Sequence, residues 1–227
     1  TIFNARNKTM PCHIQVKNLA LTYRWKAYQK TIFKDLNLCI PSGSFVTIIG
    51  GNGSGKSSLV KLILGLVKPE SGDVLLNDKI VRAGYPESIK TNRISYLTQQ
   101  IEDLFFSETV AEELSYQDDV LGDSDMLDIL HTLGLDMLMD RSVERLSGGE
   151  RQSLALAQFM IQDAPLLILD EPSSYFDRTK ASILKAFLEK AHQSGKTVLH
   201  VTQFTSELEW GTHVIDLDET NVTLATL

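Results

Sequence analysis

A glycine-rich stretch limits what this chain can fold into more than any other part of its sequence. Residues 50–57 match the phosphate-loop pattern G-x-x-x-x-G-K-[ST] at every fixed position. The apolar, β-branched run Phe45–Ile49 precedes the pattern and predicts a buried strand, and an apolar-rich helical continuation begins by Leu59. A strand, a glycine turn and a helix in this order form the structural context of a phosphate loop. The sequence therefore predicts an α/β fold with a phosphate-binding site between this strand and this helix.

The residue types of this loop suit a nucleoside triphosphate. Glycines let successive backbone N–H groups face one phosphate, and the helix that starts near Lys56 adds the positive end of its dipole. We expect Lys56 to reach the β- and γ-phosphates and the Ser57 hydroxyl to ligate Mg²⁺. The residues predicted to contact the nucleotide are Gly50, Gly51, Asn52, Gly53, Ser54, Gly55, Lys56, Ser57 and Ser58.

Charge and hydropathy narrow the range of partners. The 227 residues are 43% hydrophobic and carry a net charge of −7, with no run of lysines and arginines. This balance argues against nucleic acid or an anionic membrane as the main partner. No apolar run approaches the roughly 20 residues of a membrane-spanning helix, and Thr1–Met10 lacks the apolar region of a signal peptide. We expect a soluble chain whose role at a membrane would need a partner.

The two cysteines, Cys12 and Cys39, lack the C-x-x-C spacing of a metal or redox site. Two cysteines also make no disulfide framework. We therefore expect reduced thiols, as in a cytosolic protein.

Hydrophobic periodicity divides the chain into two strand-rich parts and a helical middle. Strands are predicted at 13–23, 36–40, 45–49, 74–76, 94–97, 166–169, 197–201 and 214–217. Helices are predicted at 110–116, 125–133, 147–160 and 179–193. The pattern indicates an α/β core with a helical insertion in the middle of the chain.

Two adjacent carboxylates follow the apolar run at 166–169. A buried strand presents Asp170 at its carboxyl end, where such sheets place their ligands, so we expect Asp170 beside Mg²⁺. Alternation along the strand directs Glu171 elsewhere, where it can orient or deprotonate an attacking water. The alternative is a strand that runs into an ordinary acidic loop.

The segment Leu-Ser-Gly-Gly-Glu at 146–150 begins a predicted helix. Ser147 is a natural N-cap, and Glu150 stands three residues later, as in a capping box. The simplest interpretation is a well-capped helix. Gly148 and Gly149 add conformational freedom that a cap alone does not need. They suit a helix start whose bare N–H groups approach an anion.

Taken together, these motifs resemble the nucleotide-binding subunits of ATP-binding cassette (ABC) transporters over nearly the full length. Residues 146–150 resemble the signature motif, 50–57 the Walker A motif and 166–171 the Walker B motif. The resemblance implies an ABC-type P-loop NTPase core with an antiparallel β subdomain and an inserted helical subdomain. These would form one ATPase domain, 1–227, with the core roughly at 1–98 and 162–227 and the helical subdomain roughly at 99–161.

The resemblance also assigns nucleotide contacts outside the loop. Tyr23 matches the aromatic residue that stacks on adenine, with Trp25 as the alternative. Gln99 matches the glutamine that ligates Mg²⁺ weakly between core and helical subdomain, with Gln100 as the alternative register. The stretch 99–110, followed by Glu112 and Glu113, is similar to the corresponding stretch of the energy-coupling factor and cobalt-type importers.

The resemblance implies that two such subunits form a head-to-tail dimer and that the dimer hydrolyses ATP. It also implies that the subunit is peripheral on the cytoplasmic side of the cell membrane. ATP and Mg²⁺ on Lys56, Ser57 and Asp170 of one subunit would be covered by the signature residues of the other, namely Ser147, Gly148, Gly149 and Glu150. Residues 174–177 match the D-loop, where Asp177 is expected to shape the dimer interface. The region around 99–116, including Leu104–Phe106, would dock an integral membrane subunit.

Two departures from the family pattern affect these expectations. Gln203 stands where the family usually has a histidine that contacts the γ-phosphate. A glutamine amide can donate a hydrogen bond but carries no charge, and His200 is expected to face the opposite way. We therefore expect slower hydrolysis at this subunit's own site, and a heterodimer of unequal sites. In addition, energy-coupling factor ATPases usually continue beyond the point matching Leu227, which indicates either a short member or another subfamily.

Other classes of ABC protein remain as alternatives. Chromosome-type members carry long coiled coils between the Walker motifs, and ribosome-type members usually hold two cassettes and are more basic; neither pattern is present. A regulatory ATP-binding subunit with a degenerate hydrolysis site is compatible with Gln203. A phosphate-loop kinase or GTPase is disfavoured by the motif at 146–150 and by the lack of N-K-x-D.

Overall fold

The computed structural model describes residues 11–26, 28–84, 93–100, 105–115, 122–172, 176–219 and 222–226. The predictions made for Leu104, Tyr116, Ser174 and Tyr175 lie outside these residues. The elements, in chain order, are β1 (Cys12–Trp25), β2 (Tyr28–Pro41), β3 (Phe45–Ile49), α1 (Lys56–Ile63), β4 (Ser71–Leu76), β5 (Lys79–Ile80), β6 (Ile94–Leu97), α2 (Val110–Ser115), α3 (Asp123–Thr132), α4 (Gly148–Ile161), β7 (Leu166–Asp170), α5 (Arg178–Gln193), β8 (Thr197–Val201), β9 (His213–Asp216) and β10 (Leu224–Thr226).

The strands form two sheets. The larger sheet has six strands in the order β10-β9-β3-β8-β7-β6, of which all but β10 run parallel. Its central strands are mostly apolar and are buried along nearly their whole length because both faces are covered, as in other parallel sheets. The smaller sheet is antiparallel, with the order β2-β1-β4-β5.

Strand alternation divides the core into two layers on either side of the larger sheet. One layer joins the sheet to α1 and the inner face of the antiparallel sheet. The other joins the opposite face to α4, α5 and the apolar residues of α2 and α3. The elements α2, α3 and α4 follow one another between β6 and β7, which agrees with the helical insertion expected from the sequence.

The parallel strands bring four loops to one edge of the larger sheet. The glycine loop follows β3, Asp170 ends β7, Gln203 lies beyond the end of β8, and Asp218 lies beyond the end of β9. Parallel neighbours end at the same edge, so these segments meet although they lie far apart in the chain.

The expectation of reduced thiols is wrong. Cys12 and Cys39 form a disulfide, with their Cα atoms 5.6 Å apart. The antiparallel register of β1 and β2 sets Cys12 opposite Pro41 and Gln15 opposite Cys39, which brings the two cysteines to bonding distance. Sequence spacing could not show this contact because it depends on the pairing of two strands.

Some element boundaries also differ from the sequence prediction. The strand expected at 36–40 extends back to Tyr28, because its whole length pairs with β1 in a long hairpin. The short edge strands β5 and β10 were not predicted. Among the described residues, no helix is long and apolar enough to cross a membrane.

Candidate functional site

The glycine loop joins β3 to α1 at the edge of the larger sheet. Gly55 is the N-cap of α1 and has a φ of 107°, a backbone conformation that residues with a side chain rarely adopt. A β-carbon at Gly55 would also lie 2.6 Å from ring atom Cζ of Phe33. Glycine is therefore required here both by conformation and by the close approach of β2.

Lys56 lies inside the loop that it follows. Its side chain is only 5% exposed, and its Nζ donates hydrogen bonds to the carbonyl oxygens of Gly50 at 2.8 Å and Gly51 at 3.2 Å. The same Nζ lies 3.6 Å from Oε1 of Glu171. The ammonium group is thus held at the centre of the loop.

Ser57 and Asp170 meet beside this lysine. The Ser57 hydroxyl donates to Oδ1 of Asp170 across 3.2 Å. Burial at the end of β7 raises the pKa of Asp170; the Ser57 hydrogen bond opposes that effect and the neighbouring Glu171 charge adds to it. A hydroxyl and a carboxylate oxygen at this distance are ligand types that Mg²⁺ accepts.

Glu171 is buried, and its backbone has a φ of 53°. β7 ends at Asp170, so this left-handed turn sets the direction of Glu171, rather than the strand alternation expected from the sequence. Its Oε2 accepts a hydrogen bond of 3.2 Å from Nε2 of Gln99, which follows β6. Gln99, Glu171 and Lys56 are therefore linked directly, and the contact uses Gln99 rather than Gln100.

Tyr23 lies next to the loop, near the end of β1. Its hydroxyl is 3.4 Å from Oγ of Ser58 in α1, and part of its ring is exposed. Trp25 lies two residues further along the same face and is mostly exposed, opposite Tyr28 of β2. Of the two candidate aromatic residues, Tyr23 is the one with a contact to the phosphate-loop helix.

Two further charged residues contact the loop, and sequence reasoning missed both. The Nζ of Lys30, which pairs with Tyr23 across the hairpin, donates to the carbonyl oxygen of Gly53 at 3.1 Å. The Asp218 carboxylate accepts a 2.6 Å hydrogen bond from the backbone N–H of Gly51. Neither belongs to a motif, and their positions depend on strand pairing and on the edge of the sheet.

Gln203 is exposed at the same edge of the sheet, just beyond β8. His200 is fully buried, stacks on Trp210 with ring centroids 4.8 Å apart, and has its Nε2 3.3 Å from Oε2 of Glu207. Because this packing holds His200 away from the exposed edge, it agrees with the expectation that His200 does not replace Gln203.

The segment 146–150 forms the predicted capping box at the start of α4. The Glu150 backbone N–H donates to Oγ of Ser147 at 3.2 Å, and the Ser147 backbone N–H donates to Oε2 of Glu150 at 2.7 Å. A β-carbon at Gly148 or Gly149 would approach no heavy atom within 4 Å outside its own helical turn, among the described residues. The chain's own described structure therefore gives no reason for these two glycines.

The remaining predicted residue, Asp177, caps another helix. Its Oδ1 accepts from the Lys180 backbone N–H at 2.9 Å at the start of α5, and its Oδ2 is 3.1 Å from the Lys180 Nζ. Among the described residues, no hydrogen bond joins Asp177 or the segment 146–150 to the glycine loop. The structure thus assembles one group of predicted residues around the loop and leaves a second group apart from it.

Comparison with known proteins identifies the family to which this chain belongs. The family model described as ABC transporter matches residues 33–174. The glutathione/L-cysteine transport system ATP-binding/permease protein CydC of Haemophilus influenzae is 33% identical over 209 residues, covering 86% of this chain and 35% of that protein. This chain therefore spans about a third of that relative's length.

A second relative is similar in length. The energy-coupling factor transporter ATP-binding protein EcfA1 of Mycoplasmopsis pulmonis is 30% identical over 201 residues, which cover 86% of this chain and 75% of that protein. Among solved structures, the ATP-binding cassette MJ0796, in a dimeric post-hydrolysis state with ADP and Pi, has a TM-score of 0.79 and 26% identity, with 94% of this chain and 98% of that chain covered. These findings confirm the predicted fold class, and the chain belongs to the ABC transporter family.

Proposed function

We propose that this chain is the ATP-hydrolysing subunit of an ABC membrane transporter, of the energy-coupling factor importer type. The family match and the relative from Mycoplasmopsis pulmonis support this proposal. The subunit is peripheral on the cytoplasmic side of the membrane. Its membrane partner docks on the helical insertion, where Phe106 is 89% exposed and Met137 88% exposed.

The nucleotide lies on the glycine loop. Lys56 exchanges the Gly50 and Gly51 carbonyls for the β- and γ-phosphates, and residues 50–58 supply backbone donors. Tyr23 stacks on adenine, which its partial exposure and its contact to Ser58 support.

Ser57 and Asp170 would hold Mg²⁺ together with the phosphates, and the ion would supply positive charge that stabilises the transferred phosphoryl group. Mg²⁺ usually takes one or two protein oxygens and keeps phosphate and water as its other ligands. Gln99 would be the weaker ligand through its amide oxygen, and its amide nitrogen donates to Glu171.

Glu171 is the general base or the residue that orients the attacking water. Before nucleotide binds, its carboxylate is occupied by Lys56 and by Gln99. With nucleotide bound, Lys56 would turn to the phosphates and Gln99 to the metal, and both side chains would leave Glu171. The carboxylate is then free to accept a hydrogen bond from water. Gln203 donates to the γ-phosphate without adding charge.

The site is completed by a second cassette. The observation that supports a second cassette is the space beside Gly148 and Gly149, which no atom of the described chain occupies. Phosphate oxygens bound by a partner would fill that space and accept from the helix N–H groups and the Ser147 hydroxyl. Glu150 holds this helix start in shape, and Asp177 lies at the interface. The partner is a different cassette, a preference that rests on Gln203.

The test is Glu171→Gln in the complex purified with its membrane subunits. The amide keeps the shape of the side chain but cannot take a proton, so hydrolysis of the ATP bound at this chain's own loop, followed in a single turnover, should slow by about 10²–10⁴-fold while that ATP stays bound. Glu189→Gln, the same change on the exposed surface of α5, is the matched control and should leave turnover unchanged. Undiminished hydrolysis of the ATP on this loop in Glu171→Gln would remove Glu171 from this role.

A regulatory subunit that binds ATP without hydrolysing it is the second candidate, and Gln203 is the observation that favours it. In that case the ATP on this chain's own loop would not be hydrolysed in wild type or in Glu171→Gln, because the partner's site alone would hydrolyse ATP. The same measurement therefore separates the two functions.

A further inference from the structure

The Glu150 carboxylate at the start of α4 is held from both sides. Its Oε2 accepts from the Ser147 backbone N–H at 2.7 Å, and its Oε1 accepts from Nη1 of Arg141 at 2.9 Å. Arg141 lies outside the motif at 146–150 and has no part in the functions derived above. Its guanidinium is the charged partner of the side chain that closes the capping box.

The backbone of Arg141 is itself fixed. Its N–H donates to the carbonyl of Leu138 at 2.9 Å, and its carbonyl accepts from the N–H of Val110 at 3.1 Å. The neighbouring residues Thr109 and Ser142 form an isolated β-bridge. Arg141 is therefore anchored on the first turn of α2, and its side chain extends from that anchor to the start of α4.

The anchoring of Arg141 affects the Ser147 hydroxyl, which lies at the exposed start of α4 beside Gly148. The Ser147 oxygen accepts from the Glu150 N–H at 3.2 Å, and the hydroxyl can donate its proton either to the Glu150 carboxylate or to another acceptor. The position of that oxygen depends on the Glu150 backbone, and Glu150 is held by Arg141. A shift of Glu150 would turn the Ser147 hydroxyl and the first N–H groups of α4 together.

Arg141 also balances charge. A carboxylate at the start of α4 would repel an incoming phosphate, and a guanidinium bound to it offsets that repulsion. The hydrogen bond from the Ser147 N–H, followed by that with the Ser147 hydroxyl and by the Arg141 charge, lowers the pKa of Glu150. Glu150 therefore stays charged near neutral pH, and the Arg141 guanidinium is the positive charge bound to it.

We propose that Arg141 is a positioning residue for ATP hydrolysis: it holds Glu150 so that Ser147, Gly148 and Gly149 present their donors to the nucleotide of the partner cassette. The inference rests on the proposed function, because it needs a nucleotide shared between two cassettes. Arg141 itself touches neither nucleotide nor metal.

The Arg141–Glu150 ion pair lies on the surface, so its effect on activity can be tested without disturbing the fold. The Arg141 side chain is 48% exposed and that of Glu150 is 30% exposed, and ion pairs of this kind contribute little to folding stability. A variant at Arg141 should therefore fold normally. Any loss of activity then reports on position and charge.

The experiment compares Arg141→Gln, Arg141→Lys, Glu150→Gln and the double variant Arg141→Gln/Glu150→Gln in the purified complex. We expect Arg141→Gln to lower kcat about tenfold, as loss of a charge-assisted hydrogen bond would, with KM and melting temperature unchanged. Arg141→Lys should restore part of the rate. Because a glutamine amide at position 150 has no charge to balance, Arg141→Gln should have no further effect in the Glu150→Gln background.

Two controls define the outcome. Lys185→Gln breaks an exposed ion pair with Glu189 on α5 and should leave kcat unchanged. ATP affinity at the chain's own glycine loop should be the same in Arg141→Gln and wild type, because the proposed action is on the partner's nucleotide. A wild-type kcat for Arg141→Gln would overturn the inference, and so would an equal loss in the Glu150→Gln background.

A further variant separates this result from failure of the proposed function. Gly148→Asp places a carboxylate in the open space beside the helix start and should abolish turnover if a shared nucleotide lies there. If Gly148→Asp leaves turnover unchanged, the proposed function fails. If Gly148→Asp abolishes turnover and Arg141→Gln does not reduce it, only the role of Arg141 is wrong.

Discussion

Asp170, the predicted Mg²⁺ ligand, lies in an environment that disfavours its charged form. The group is buried at the end of β7, and burial raises its pKa, so the native state disfavours the charged form. The adjacent Glu171 charge acts in the same direction, and only the Ser57 hydrogen bond and nearby lysines oppose it. A buried carboxylate that serves as a metal ligand is expected to have a raised pKa when no metal ion balances its negative charge.

Asp170→Asn should therefore stabilise the chain in the absence of nucleotide while abolishing Mg²⁺-dependent hydrolysis of the ATP bound at its own loop. The amide keeps an acceptor for the Ser57 hydroxyl but carries no charge to desolvate. For a chain of this size, each kcal/mol changes the melting temperature by about 2–4 °C, so a rise of that order should be visible by calorimetry. A variant that melts below wild type at pH 8 would contradict this account.

The pH dependence of that difference follows from the direction of the pKa shift. Because the native pKa of Asp170 is raised, wild-type stability from this group is present at low pH and is lost as pH rises through the native pKa. The asparagine variant has no such loss. Its advantage in melting temperature should be absent below the ordinary aspartate range and grow with pH above it, and an advantage constant with pH would exclude Asp170 as its source.

Among the elements, the hairpin of β1 and β2 carries both the disulfide and Tyr23. Closing a loop between Cys12 and Cys39, which are 27 residues apart, should contribute about 3 kcal/mol by restricting the unfolded chain. Cys39→Ser should therefore melt below wild type in oxidising buffer. With excess reductant, the two should melt at the same temperature. If the melting temperature of wild type did not change when reductant was added, that result would contradict the disulfide.

The elements also show what sequence could predict. Local patterns were sufficient for β3, α1, β7 and β8, because an apolar run or a glycine turn carries its own signal. The predicted capping box at Ser147 and Glu150 is present for the same reason. Contacts set by pairing or by the edge of the sheet leave no local signal, which is why the disulfide was missed.

The same limit applies to the candidate site. Walker-type motifs identify Lys56, Ser57 and Asp170 because the spacing is local. Lys30 and Asp218 reach the loop from a hairpin and from a later strand, and Arg141 reaches Glu150 from another segment, so no spacing rule finds them. The orientation of Glu171 depends on a left-handed residue at the strand end, which alternation cannot anticipate.

At the scale of the whole molecule, the proposed function assigns the two groups of site residues to two different nucleotides. On that proposal, residues around Lys56 act on the nucleotide bound to this chain, whereas Gly148 and its neighbours act on the nucleotide bound to the partner cassette. Gln203, exposed at the loop edge and without charge, is then expected to weaken only the first of these sites. In a complex of two different cassettes, the partner's site should therefore supply most of the turnover.

Two variants of this chain should then differ in their effect on the purified complex. Gly148→Asp impairs the faster, partner-bound site and should reduce turnover at least about tenfold more than Lys56→Ala, which impairs the slower site of this chain. Gln203→His should raise the rate at the slower site, so that Lys56→Ala in that background removes a larger share of turnover. If the complex held two copies of this chain, both sites would be equivalent and the two variants would reduce turnover alike; that result would rule out the unequal pair.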